Sequence, residues 1–120
     1  MSKKKSILKD KSFLFAIRII KLYQHLTEMK KEYVMSKQLM RSGTAIGALV
    51  REAQNAESTK DFIHKLSISQ KECDESIYWL ELLKATDYIE EQEFESLNND
   101  ANELLKMLRS SIITSKQNNS

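Results

Sequence analysis

The chain contains no proline and only two glycines, Gly43 and Gly47, in 120 residues. Folds built on tight turns need these residues at their corners, and a helix interior is where both do most harm. A sequence so poor in breakers is suited to long helices. Apolar residues recur at three- and four-residue intervals along four extended stretches, the period of an amphipathic helix. Together these features predict an all-α chain with four helices.

The first helix is expected from about Lys11 to Lys30. Its inward set is Phe13, Ala16, Ile20 and Tyr23, widened by Ile17, Ile19, Leu22 and Leu26, with Lys11, Arg18, Lys21, His25 and Glu28 opposite. The second is expected from an N-cap at Ser36 to about Ala56. Its inner stripe is Leu39, Gly43, Ile46, Val50 and Ala53, and its outer stripe is Lys37, Arg41, Thr44, Ala48 and Arg51. Each glycine costs roughly 1 kcal/mol against alanine in a helix interior, so close packing by a neighbouring helix is the expected compensation.

Ser58 and Asp61 have the spacing of a capping box for the third helix, which runs to about Thr86. Its core stripe is read as Ile63, Leu66, Gln70, Cys73, Ile77 and Leu80, flanked by Phe62, Trp79 and Leu83. The fourth runs from about Glu90 to Ile113, with Phe94, Leu97, Ala101, Leu104 and Leu108 inward. Short connections make consecutive helices antiparallel, giving an up-down-up-down four-helix bundle over residues 11–113. Residues 1–10 read as a flexible basic tail and 114–120 as a flexible polar one.

The net charge of +2 hides an asymmetry. Residues 1–60 hold 13 Lys/Arg against 5 Asp/Glu, and residues 61–120 hold 6 against 12. Such halves either neutralise each other within the bundle or form distinct faces, one of them suited to a polyanion. Phosphate contact would fall to Lys30, Lys31, Lys37, Arg41 and Arg51, helped by Lys3, Lys4 and Lys5. The segment Tyr78-Trp79-Leu80-Glu81-Leu82-Leu83 is apolar nearly all round the helix. With one side given to the core, Tyr78, Trp79 and Leu82 are expected at a subunit contact.

Catalytic chemistry is not expected. The single Cys73 sits on a core stripe, His25 on a polar one, and no phosphate-binding glycine loop or nucleophile elbow is present. A di-iron bundle would need two Glu-x-x-His pairs, and the nearest motif is one Asp61-x-x-His64. The carboxylates Glu72, Asp74, Glu75 and Glu81 spread around solvated faces. No cofactor or metal is implied. One unpaired cysteine and no apolar run of membrane length point to a cytoplasmic protein without a membrane partner.

The helix 2 stretch Arg41-Ser-Gly-Thr-Ala-Ile-Gly-Ala-Leu-Val-Arg-Glu-Ala resembles a known family, with Arg41, Ser42, Thr44, Ile46, Val50 and Glu52 carrying the motif. Asp61-Phe-Ile-His-Lys-Leu-Ser-Ile-Ser-Gln-Lys-Glu and Tyr78-Trp-Leu-Glu-Leu-Leu extend it into helix 3. The family is that of the four-helix-bundle proteins of intervening sequences in 23S ribosomal RNA genes. The accessory variability determinant of diversity-generating retroelements is similar. The resemblance spans roughly residues 11–110. It implies a homopentameric ring or barrel without enzymatic activity and, for the retroelement relatives, nucleic-acid binding and a reverse-transcriptase partner. Those relatives tend to be strongly basic, whereas this chain is near neutral. Two functions follow as expectations: an oligomeric protein contacting RNA or DNA phosphates through its basic half, or a structural adaptor whose charged faces serve self-assembly and partner binding.

Overall fold

The computed structural model describes residues 3–118, with side chains from residue 7 onward. Four helices follow in order: α1 Lys3–Glu28, α2 Met35–Gln54, α3 Thr59–Ala85 and α4 Glu91–Asn118. No strand occurs among the described residues. α1 packs on α2, α2 on α3 and α3 on α4, and α4 returns to α1 along the thinnest of the four seams. Side-chain bridges between Ser42 and Ser76 and between Glu52 and Lys65 fix α2 and α3 as antiparallel. The result is an elongated body of 49 × 22 × 20 Å. Its long axis fits a helix of 28 residues at about 1.5 Å per residue.

Both outer helices are longer than expected. Residues 3–10 and 114–118 were read as tails but are helical, whereas residues 1, 2, 119 and 120 lie outside the described residues. The reason at the first end is Leu8, which is only 3% exposed and joins the core. It begins a buried series, Leu8, Ser12, Phe15, Ile19, Leu22 and Leu26, stepping by four and three. This phase differs from the expected one. Phe13, assigned inward from sequence, is 51% exposed, and Ala16, Ile17, Ile20 and Tyr23 are half-buried. A serine in the true stripe disguised it.

Ser12 is tolerated in the core because α2 gives way there. A Cβ on Gly47 would lie 3.2 Å from Ser12 Oγ and 3.4 Å from the Ser12 carbonyl group. A Cβ on Gly43 would lie 2.9 Å from both Cγ1 and Cγ2 of Ile19. The two glycines therefore let α1 approach α2 closely, as their cost predicted. Ile19 is fully buried and β-branched, so it cannot swing aside. Gly43→Ala should cost about 1–2 kcal/mol net, since overpacking outweighs the gain in helix propensity. Gly47→Ala should be close to neutral. Urea denaturation midpoints of the two variants test this ranking, and equal midpoints would refute it.

A second small-residue seam joins α2 to α3. Ser42, Ser69 and Ser76 are fully buried where the sequence suggested Gln70 and Ile77, which are half-buried. Ser69 Oγ donates to the Ile46 carbonyl across the seam at 3.0 Å. Ser76 Oγ lies 2.9 Å from both Ser42 Oγ and the Glu72 carbonyl oxygen. Buried hydroxyls are tolerated when paired in this way, and their small size draws the helices together. The rest of the core is aliphatic, built from Leu39, Ile46, Leu66, Leu80, Leu83, Leu97, Leu104 and Leu108 around Phe15.

The turns carry their own logic. Ser58 accepts from the Asp61 amide at 3.0 Å and Asp61 accepts from the Glu57 amide at 3.3 Å, close to the expected capping box. α3 ends in a Schellman arrangement. Asp87 is left-handed at φ 67°, its amide reaches the Lys84 carbonyl, and the Tyr88 amide reaches that of Leu83. Ser36 does not cap α2, which starts one residue earlier and has Val34 at its N-cap without a side-chain bond. The cap is Glu32. Its carboxylate accepts from the amides of Val34 and Met35 at 3.0 Å and of Ser36 at 2.7 Å. Ser36 instead donates its hydroxyl to the Glu32 carbonyl at 2.8 Å.

Candidate interaction surfaces

Part of the asymmetric charge is neutralised across the seams of the bundle. Across the α1–α4 seam Lys11 pairs with Glu103, and Arg18 pairs with Asp100 at 2.6 Å and donates to Ser96 at 3.0 Å. Across the α2–α3 seam Arg41 is held by Glu75 and by Glu72 at 3.1 Å, while Lys65 meets Glu52 at 3.3 Å. Side chains in these pairs are mostly a third to a half exposed, so each contributes on the order of 0–1 kcal/mol. They set register more than stability.

This pairing sorts the five basic residues singled out from sequence. Arg41 is engaged by two carboxylates. The hydrogen bond to Glu75, foremost, holds its guanidinium above the ordinary value, burial opposes this, and Glu72 adds to the rise. Arg51 is exposed, with its guanidinium over the Phe13 ring at 5.5 Å from the centroid. Lys31 and Lys37 are exposed, Lys31 in the left-handed conformation at φ 56° that turns the chain from α1 into α2. Lys30 is exposed at the rim of an open groove of about 540 Å³, whose lining includes His25, Asp87, Glu90 and Glu93. The five do not converge on one spot. Lys30 and Lys31 lie at the α1–α2 turn, while Lys37, Arg41 and Arg51 are spread along α2.

The three expected contact residues share one region of α3. Tyr78 is 52% exposed and stacks edge-on against Trp79 at 5.1 Å. Trp79 is half-buried and donates from its indole nitrogen to Glu75 at 3.0 Å. That bond, ahead of burial and the Arg41 contact, sets the direction of the Glu75 carboxyl, which lies below its ordinary value. Leu82 is half-buried. Val34, 73% exposed at the start of α2, adds to the apolar character at this end of the bundle. Sequence reading passed over Val34 because it sits in a turn, outside any helical stripe.

Other groups offer little chemistry. Cys73 is buried with Sγ 3.2 Å from the Ala101 carbonyl oxygen, and burial, reinforced by Asp74, pushes its thiol up to about 12. Such a thiol is protonated and inert at neutral pH. Asp61 is committed to its turn. Among the described residues, no three His, Cys, Asp or Glu side chains gather as a metal site, and no helix is long and apolar enough to cross a membrane.

Fold and surfaces define the class first. This is an all-α bundle of four consecutive helices whose distinguishing features lie on its outer faces, not in an enclosed pocket. Residues 4–110 match the profile of the 23S rRNA-intervening sequence proteins, and the chain belongs to that family. A crystal structure of a protein of unknown function from the S23 ribosomal protein family of Bacteroides thetaiotaomicron VPI-5482 is similar, with a TM-score of 0.90 and 54% identity. The likeness covers 91% of this chain and 97% of that one. No curated protein matches.

Proposed function

We propose that this protein is a non-enzymatic, self-associating bundle that serves as a structural adaptor, assembling as the homopentameric ring implied by its family resemblance. The observation that carries this reading is the amount of apolar surface left outside a core that is already complete. Phe13, Leu14, Val34 and Tyr78 are each more than half exposed. Scattered apolar residues are ordinary on a surface; what supports a contact is the grouping of Val34 and Tyr78 at one end of the bundle, with Phe13 and Leu14 exposed on α1 toward the other end. Static light scattering tests it. The expected mass is five copies of the 14.0 kDa chain. A stable monomer at all salt concentrations would sink the proposal.

A second reading, contact with nucleic-acid phosphate, is favoured by one observation. Among the described residues, no carboxylate pairs with Lys31, Lys37 or Arg51. Binding of mixed RNA or DNA should then be weak and fall steeply with salt, with a log–log slope of about −0.7 to −0.9 per phosphate contacted. Binding that is undetectable at low salt, or insensitive to salt, would remove this reading.

A further inference from the structure

We infer that the seam between α1 and α4 is a clasp: it parts and recloses while the other three seams stay packed, and the charges across it set how often. This concerns the single protomer and stands apart from the self-association proposed above. Connectivity comes first. Each of the other three seams joins helices that a short connection ties together, whereas α1 and α4 are the first and last of the four and no connection runs directly between them. Parting them strains no tether. It needs only a small swing about the α1–α2 or the α3–α4 turn, the usual place for a hinge.

Packing agrees. Each tied seam is drawn in by small residues. α1 meets α2 at Gly43 and Gly47, and α2 meets α3 at Ser42, Ser69 and Ser76. α3 meets α4 where Cys73 Sγ comes within 3.2 Å of the Ala101 carbonyl oxygen. The fourth seam is spanned instead by long side chains, with Lys11 reaching Glu103 and Arg18 reaching Asp100. Open spaces of about 130 and 200 Å³ lie along it, the first reaching Phe15 and Leu104 and the second Leu22 and Leu97. A third, of about 540 Å³, carries on to the α3–α4 connection. Core side chains that border such spaces lack packing partners on one side, so less dispersion energy holds this seam shut.

Charge makes the clasp responsive. Lys11, Arg18, Lys21 and His25 line the seam from α1, and Glu93, Asp100 and Glu103 line it from α4. The two rows are opposite in sign, so they attract. The bridging side chains are 38–51% exposed, which leaves that attraction open to screening by salt. The glycine, serine and Cys73–Ala101 approaches carry no net charge and do not respond in this way. Rising ionic strength therefore loosens one seam of the four. Core side chains on that seam are uncovered while the rest of the fold holds, a local opening below the free energy of global unfolding.

The test is thiol labelling of the full chain with N-ethylmaleimide, read site by site from peptide masses and divided by the rates in urea. Leu22→Cys places a thiol on the clasp, and native Cys73, fully buried between α3 and α4, is the reference within the same molecule. The thiol at position 22 should label about tenfold faster than Cys73 or more, since only the clasp has to open. Raising sodium chloride from about 0.02 to 0.3 M should increase that ratio about two- to fourfold. Arg18→Gln should raise the ratio at low salt and flatten its salt dependence. Ile46→Cys, fully buried on α2, should keep pace with Cys73. Leu97→Cys probes the same space from α4 and serves if Leu22→Cys does not fold. Equal rates at the clasp and at Cys73, or a ratio unmoved by salt, would overturn the inference. A ratio that changes with protein concentration would assign the opening to separation of copies and overturn it as well.

Discussion

Phe15→Ala should destabilise the protein by about 3–5 kcal/mol, the range for truncating a fully buried aromatic side chain. Phe15 is 1% exposed and, among the described residues, is the only aromatic side chain in the fully buried core. It lines the α1–α4 seam with Leu104, where helix contact is thinnest and the remaining bridges are exposed ion pairs. Little can close in to refill the space, so the cost should lie toward the upper end. In urea or guanidinium the midpoint should fall with an unchanged slope, and Tm should drop by roughly 10–20 °C. Phe13→Ala, one turn-phase away and half exposed, should cost under about 1 kcal/mol in the isolated bundle. If the two variants lost equal stability, the helix 1 phase described above would be wrong.

Glu32→Ala should cost about 2–3 kcal/mol, more than an ordinary helix cap, because one carboxylate serves three amides at the start of α2. Glu32 is 7% exposed. Burial pushes its carboxyl up, but the amide bonds from Ser36, Met35 and Val34 outweigh this and hold it below its ordinary value. The sign of the pH effect follows. A carboxyl with a depressed folded value contributes stability above the unfolded value of about 4.3, and that contribution is lost as pH falls through the folded value. The stability gap between wild type and Glu32→Gln should therefore be full near neutral pH and shrink in acid. A gap that stayed constant down to about pH 2, or widened on acidification, would show that the charge of Glu32 does not matter to the cap.

Element type was legible throughout because periodicity and the scarcity of breakers act along the local chain. The cap at Ser58, the end of α3 near Thr86 and the close approach at the glycines could all be read from a few adjacent residues. The rotation of α1 could not. Ser12 belongs to the buried stripe only because Gly47 faces it from another helix, and a pattern search along one segment treats that serine as solvent-facing. The same holds for Ser69 and Ser76, whose hydroxyls are satisfied by α2 and by their own backbone. Glu32 was hidden for a related reason: an acid in a turn looks solvated until three amides are seen to converge on it. For the surfaces, Tyr78, Trp79 and Leu82 stand out in the sequence because their segment is apolar nearly all round the helix. The partners of Arg41 depend on α3 lying alongside α2, which no spacing within α2 reveals.

Four consecutive antiparallel helices have a further consequence for any ring they build. The start of α1, the α2–α3 connection and the end of α4 share one pole of the bundle, while the α1–α2 and α3–α4 connections share the other. Copies related by a single rotation axis parallel to their helices would all stand the same way up. One rim of such a ring would then display every chain end. The opposite rim would repeat Lys30 and Lys31 beside Asp87, Glu90 and Glu93, a band of alternating charge. An assembly of identical, near-neutral subunits would thus have a direction, and anything fused to or extending from the chain would emerge on one side only.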